Sequence, residues 1–98
     1  MSFKESVVQR KLMLELQAKF PSIYVRKIAQ AAYSHGGIPD LLGCYNGMFF
    51  AIEVKTTDGK LSKLQDFEIQ AIDKAKGLAL VCYGLEDFPY IVERIGGL

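Results

Sequence analysis

Within "GGIPDLLGCYNGMFFAIEVKTT", residues 36–57, two acids and a lysine, Asp40, Glu53 and Lys55, interrupt one of the most apolar parts of the chain. Asn46-Gly47 is the strongest two-residue hairpin signal, so residues 38–45 and 48–55 read as paired antiparallel strands. With those two residues at the turn, Tyr45 pairs with Met48, Cys44 with Phe49, and Asp40 falls opposite Glu53. Directly opposed residues point to one face with Cβ atoms ~5 Å apart. Lys55, two residues past Glu53, shares that face. Two carboxylates so close repel each other, and a buried unpaired charge is costly. A divalent cation reconciles them: oxygen ligands completed by water suit Mg²⁺ or Mn²⁺, whereas zinc would want His or Cys. Lys55 is then placed to orient a water nucleophile or neutralise a developing negative charge. The alternative is structural, with Lys55 bridging the acids as an ion pair at a sheet edge. The other residues of that face, Leu42, Cys44, Phe49 and Ala51, are apolar, which predicts a core beside the cluster.

Other polar residues are weaker candidates. Glu5 begins the helical stripe Glu5, Val8, Leu12, Leu16, and an acid there is also favoured by the helix dipole alone. Gln9, one turn later, reads by default as a partly exposed helix residue. Local basic groups, Lys4 with Arg10 and Lys11, Arg26 with Lys27, and Lys55 with Lys60 and Lys63, are candidate contacts to a DNA backbone, and each alone reads first as a solvated surface charge. The formal net charge of +1 gives no long-range pull toward nucleic acid. His35 precedes two glycines near Asp40 and reads first as a loop residue, second as a phosphate contact. Tyr24, Tyr33, Tyr45, Tyr83 and Tyr90 lack the spacing of a base-stacking platform, and packing is their default. With no glycine-rich phosphate loop and no nucleophilic triad, no nucleotide cofactor is expected.

The elements that must position the acids follow from pattern. Residues 3–20 carry helical periodicity closed by Pro21, and "SIYVRKIAQ" reads as a strand from about Ile23. Gly36 and Gly37 permit a sharp reversal into the next strand. After the hairpin, Ser62 opens a helix to Gly77, because "SKLQ" matches a capping box with Gln65 three residues after the cap. "LALVCY" is a short, wholly apolar strand, most simply a central one covered on both faces. Residues 85–95 read as a last helix. The order α-β-β-β-α-β-α describes an α/β fold, a three-layer α/β/α sandwich with a mixed four-stranded sheet.

The 98 residues read as one domain, 1–98, of ordinary composition, 50% hydrophobic and 23% charged. No apolar run approaches the ~18 residues of a membrane span, and "MSFKESVVQR" lacks the layout of a secretory signal, so a cytoplasmic location is expected. Cys44 and Cys82 stand alone in apolar stretches and read as buried free thiols.

Together, "ESVVQ", "GIPDLLG" and "FFAIEVKTTDGKLSKLQ" resemble the VRR-NUC domain, a branch of the PD-(D/E)xK nuclease superfamily, over nearly the whole chain. A bare P-D or E-x-K recurs by chance, but the ordered set on strands with a hairpin between them is specific. The resemblance implies a restriction-endonuclease-like core. Asp40 and Glu53 would be metal ligands, Lys55 the catalytic lysine, Val54 a carbonyl ligand and Glu5 an additional acid binding metal directly or through water. Gln9 and Gln65 match glutamines around such sites, though Gln65 is equally explained as a cap. Stand-alone members look like homodimeric resolvases of four-way (Holliday) DNA junctions from phages and bacteria, which implies Mg²⁺ or Mn²⁺, branched DNA and a second copy in a bacterial or phage-infected cell. A flap or single-strand nuclease, or a catalytically silent DNA-binding module, are the competing expectations.

Overall fold

The computed structural model of the protein describes residues 3–29 and 36–98. The expectations for His35 and Tyr33 lie outside the described residues. The chain runs α1 (Glu5–Lys19), β1 (Tyr24–Lys27), β2 (Leu41–Tyr45), β3 (Met48–Val54), α2 (Lys63–Lys74), β4 (Leu78–Cys82) and α3 (Phe88–Gly96), with a 3-10 turn, Leu85–Asp87, leading into α3. The order is the expected one, and the mixed sheet has α2 on one face and α1 with α3 on the other.

Turn chemistry sets the centre of the sheet. Asn46 and Gly47 take φ of 51° and 79°, as a type I′ turn requires. The ladder then runs Tyr45↔Met48, Cys44↔Phe49, Gly43↔Phe50, Leu42↔Ala51 and Leu41↔Ile52, the register expected from the sequence. β2 starts three residues later than expected, leaving Asp40 in a bend just before it, its carbonyl accepting the Ile28 N–H at 2.8 Å. β1 adds antiparallel to β2, and β4 pairs parallel to β3 across the α2 crossover that parallel pairing needs.

Two expectations about this sheet fail. The strand order is β1-β2-β3-β4, so the wholly apolar β4 is an edge strand. Its apolar run reflects helices on its faces, which composition cannot distinguish from a central place. The core also lies on the face opposite the acids. Phe50, Ile52 and Val54 of β3 pack with Val8, Leu12 and Leu16 of α1 and with Phe88, Ile91 and Ile95 of α3. By the two-residue alternation of a strand, Glu53 points away from them. On Glu53's own face Ala51 is buried, but Cys44 and Phe49 are exposed, and α2 has no fully buried residue.

Local signals end the helices. Ser62 caps α2 and forms the full capping box with Gln65. The helix stops at Lys74, short of the expected Gly77, because Lys76 turns left-handed (φ 72°) and the Gly77 N–H bonds back to the Ile72 carbonyl, a Schellman close. Pro89 sits in the first turn of α3, where no N–H is needed. Among the described residues no helix is long and apolar enough to cross a membrane. Of the two thiols only Cys82 is buried, and burial pushes it up to about 11, keeping it protonated. Cys44 is exposed, against expectation, because its face of the sheet is not covered there.

Candidate active site

One step beyond the Leu41↔Ile52 pair, Asp40 stands opposite Glu53, and their side chains are hydrogen-bonded to each other. Asp40 Oδ2 also accepts the Val54 N–H at 2.8 Å. Glu53 is only 3% exposed. Burial, then the hydrogen bond and charge of Asp40, push its carboxyl up from 4.5 to about 8; the nearby Lys55 pulls the other way and Glu5 adds a smaller push upward. A carboxyl raised that far favours its protonated form near neutral pH.

Backbone alternation orients the rest. The N–H and C=O of a strand residue point to the same side. Because the Val54 N–H meets Asp40, the Val54 carbonyl is directed toward the same acid. Lys55 is turned the other way, its N–H donating to the Cys82 carbonyl at 2.9 Å. Its half-buried side chain lies close enough to act on Glu53, yet among the described residues Lys55 is ion-paired with neither acid. The structural-bridge alternative is not the arrangement this fold adopts.

The glutamines are more committed than their sequence context suggests. Gln65 Oε1 accepts the Ser62 N–H at 2.8 Å, and its Nε2 donates to Glu53 Oε2 at 3.4 Å. It is helix cap and acid partner together. Gln9 corrects the default reading: it is 7% exposed, on the core-facing stripe one turn from Glu5, and its buried Oε1 has no hydrogen-bond partner among the described residues. Such an orphan is uncommon and costly. Glu5 is half-buried at the start of α1, with Oε2 accepting the Thr56 N–H at 3.3 Å. Thr56 was not singled out in the sequence, since a backbone donor leaves no residue signature.

These groups suit a hard cation. Among the described residues no three His, Cys, Asp or Glu side chains gather into a closed metal cage. Two neighbouring carboxyl groups, with a backbone carbonyl directed at the same place, form an open oxygen set. Mg²⁺ is usually held by one or two carboxylates while keeping several waters. Asp40, Glu53 and Val54 fit that habit.

The basic candidates Lys4, Arg10, Lys11, Arg26, Lys27, Lys60 and Lys63 are all exposed. Two are engaged: Arg26 stacks 4.2 Å from the Tyr24 ring centroid and donates to the Val25 carbonyl, and the Lys11 amine lies 5.3 Å from the Phe3 ring centroid. Lys60 and Lys63 flank the passage from the lysine strand into α2. Beside Lys55 opens a cleft of about 250 Å³ between Phe3, Val8, Thr56, Thr57 and the Gly84–Glu86 segment.

Comparison with known proteins identifies the family and the fold. The model of the VRR-NUC domain matches residues 3–86. A solved structure described as a VRR_NUC domain superposes with a TM-score of 0.76 at 26% identity, covering 94% of this chain and 97% of that one. The Holliday junction resolvase Hjc of Archaeoglobus fulgidus shares the fold, with a TM-score of 0.58 at 21% identity over 80% of this chain and 68% of its own. None of the curated proteins matches the chain.

Proposed function

The chain belongs to the VRR-NUC domain family, and from that premise we propose that it is a Mg²⁺- or Mn²⁺-dependent endonuclease that hydrolyses phosphodiester bonds in branched DNA, four-way junctions foremost, as a cytoplasmic homodimer. The observation that carries this reading is the pair of the half-buried Asp40 and the buried Glu53, side by side, with Lys55 close enough to act on Glu53 yet, among the described residues, ion-paired with neither acid. Two acids placed side by side where one must be desolvated cost stability rather than add to it.

In the proposed reaction Asp40, Glu53 and the Val54 carbonyl would hold the ion, and Glu5, whose charge is felt by Glu53, would bind it directly or through a water. The ion, when bound, supplies Lewis-acid polarisation of the phosphate and acidifies a water. Lys55 orients the attacking water in line with the leaving oxygen and stabilises charge on the phosphoryl oxygens. Gln65 holds the Glu53 carboxyl in place, and Gln9, one turn from Glu5 on α1, offers its buried oxygen as an acceptor for a water. Lys4, Arg10, Arg26, Lys27, Lys60 and Lys63 are the candidate backbone contacts. Two sites related by a two-fold axis match the paired cuts that junction resolution needs.

The test is cleavage of labelled four-way junction, flap, single-stranded and linear duplex DNA with Mg²⁺, Mn²⁺ or EDTA. Symmetric, metal-dependent nicks across the junction are expected. Preferential flap cutting would move the substrate to a flap nuclease's, and binding without cutting would mark a silent module.

A further inference from the structure

The cleft of about 250 Å³ beside Lys55 takes no part in the proposed reaction. Its wall is built in advance. The Thr56 N–H donates to Glu5 Oε2 and the Thr56 carbonyl accepts the Gly59 N–H, which fixes the segment that leaves the lysine. Across the cleft the chain turns at Gly84, buried at φ 109°, where a Cβ would stand 2.8 Å from Glu86 Oε2 and 3.2 Å from the Thr57 methyl. Only glycine combines that backbone with neighbours so close. Phe3 and Leu85, 39% and 36% exposed, supply apolar surface to the same cleft, and the Lys11 amine flanks the Phe3 ring 5.3 Å from its centroid. Asp87 is engaged by the Tyr83 N–H at 2.8 Å, whereas Glu86 is exposed and, among the described residues, has neither hydrogen bond nor ion pair.

We propose that this cleft takes one unstacked nucleobase next to the phosphate being cut, with guanine preferred. The inference deepens the nuclease reading and rests on it. Size, charge and edge chemistry select that ligand. The cleft is smaller than the ~300–1,000 Å³ of an ordinary ligand pocket, so it holds a single flat ring system and excludes a duplex. Phe3 offers that ring a stacking surface, which every base can use. An acid without a partner, beside a lysine that handles phosphate, repels a second phosphate, so the part of a nucleotide that enters is its base. Guanine alone presents two adjacent donors on its pairing edge, the ring N–H and the 2-amino group, and they match the two acceptor oxygens of the Glu86 carboxylate. Thymine shows one donor between two carbonyls, which a carboxylate repels. Because Lys55 lines the cleft and stands near Glu53, base and scissile phosphate belong to neighbouring positions of one strand. Unpaired bases leave the stack at the least cost, which ties the cleft to selectivity for branched DNA.

Affinity for labelled duplex DNA carrying one bulged base, read by fluorescence anisotropy in EDTA, tests this without cleavage. A bulged guanine should bind about tenfold or more tighter than a bulged thymine, with hypoxanthine, which lacks the 2-amino group, in between. Glu86→Gln should erase that preference, because its amide donates to thymine as readily as it accepts from guanine. Phe3→Ala should weaken binding of every bulged duplex by about tenfold and leave fully paired duplex unchanged, with an unaltered far-UV circular dichroism spectrum. Tyr90→Ala, which removes an exposed aromatic outside the cleft, should behave as wild type. Equal affinities for the guanine, hypoxanthine and thymine bulges overturn the proposal. So does a guanine preference that survives Glu86→Gln, a bulge preference that survives Phe3→Ala, or a loss of bulge binding in Tyr90→Ala. A protein that discriminates the bulges in EDTA but cuts no DNA with Mg²⁺ or Mn²⁺ supports the cleft assignment and sinks the nuclease reading, and a metal-dependent nuclease blind to the bulged base does the reverse.

Discussion

Asp40 Oδ2 and the Val54 N–H lie 2.8 Å apart, so the first acid of the site grips the backbone immediately after the second. Position of the acid and position of the carbonyl beside it are set by one hydrogen bond across the mouth of the hairpin.

Charge and grip are separable there. Asp40→Asn keeps an oxygen for the Val54 N–H and removes the charge; Asp40→Ala removes both. Both variants should lose cleavage by about 10³-fold, while only the alanine variant should lose ~1–2 kcal/mol of stability, seen as a Tm lower by ~5–10 °C. Equal melting temperatures for the two would show that the bond contributes nothing.

The acid pair makes ion-free stability depend on pH. Glu53 titrates near 8 when folded and near 4.5 in its ordinary state, so the folded chain holds a proton that the unfolded chain releases. The contribution is fully present below about 4.5 and is lost as pH rises through about 8. In EDTA, Tm should fall by roughly 15–20 °C between pH 5 and 8.5. Glu53→Gln should flatten that slope, and Mg²⁺ at pH 8 should raise Tm by mass action in the wild type but not in the variant.

Ser62 and Gln65 share a capping box, but only Gln65 reaches Glu53. Ser62→Ala and Gln65→Ala should each cost about 1 kcal/mol in denaturant melts. Cleavage should drop about tenfold or more only for Gln65→Ala.

Gln9 carries a buried oxygen without a partner among the described residues, a cost that a methionine of similar shape removes. Gln9→Met should raise stability by about 1 kcal/mol and lower the cleavage rate, a trade seen by pairing thermal melts with junction assays. A more stable variant with wild-type activity would leave Gln9 without a role in the reaction.

Gly37 sits at φ 86°, and a Cβ there would come within 2.6 Å of the Leu64 backbone. Gly37→Ala should destabilise by about 2 kcal/mol or more and weaken cleavage, since the strand entry that bears Asp40 must shift away from α2. Calorimetry and the junction assay together measure both effects.

The amino-acid sequence by itself determined what depends on near neighbours. Asn46-Gly47 specified the turn, the turn specified the register, and the period of two then brought Asp40 to Glu53; Ser62 and Gln65 closed a cap within four residues. Only the tertiary structure decided which of two apolar sheet faces holds the core, that β4 is an edge strand, that Gln9 is buried and that Gln65 touches Glu53 as well as its own helix. Those outcomes depend on how α1, α2 and α3 divide the two faces. Hydrophobicity along a strand records that a face can be covered, and only packing between segments far apart in the chain determines what covers it.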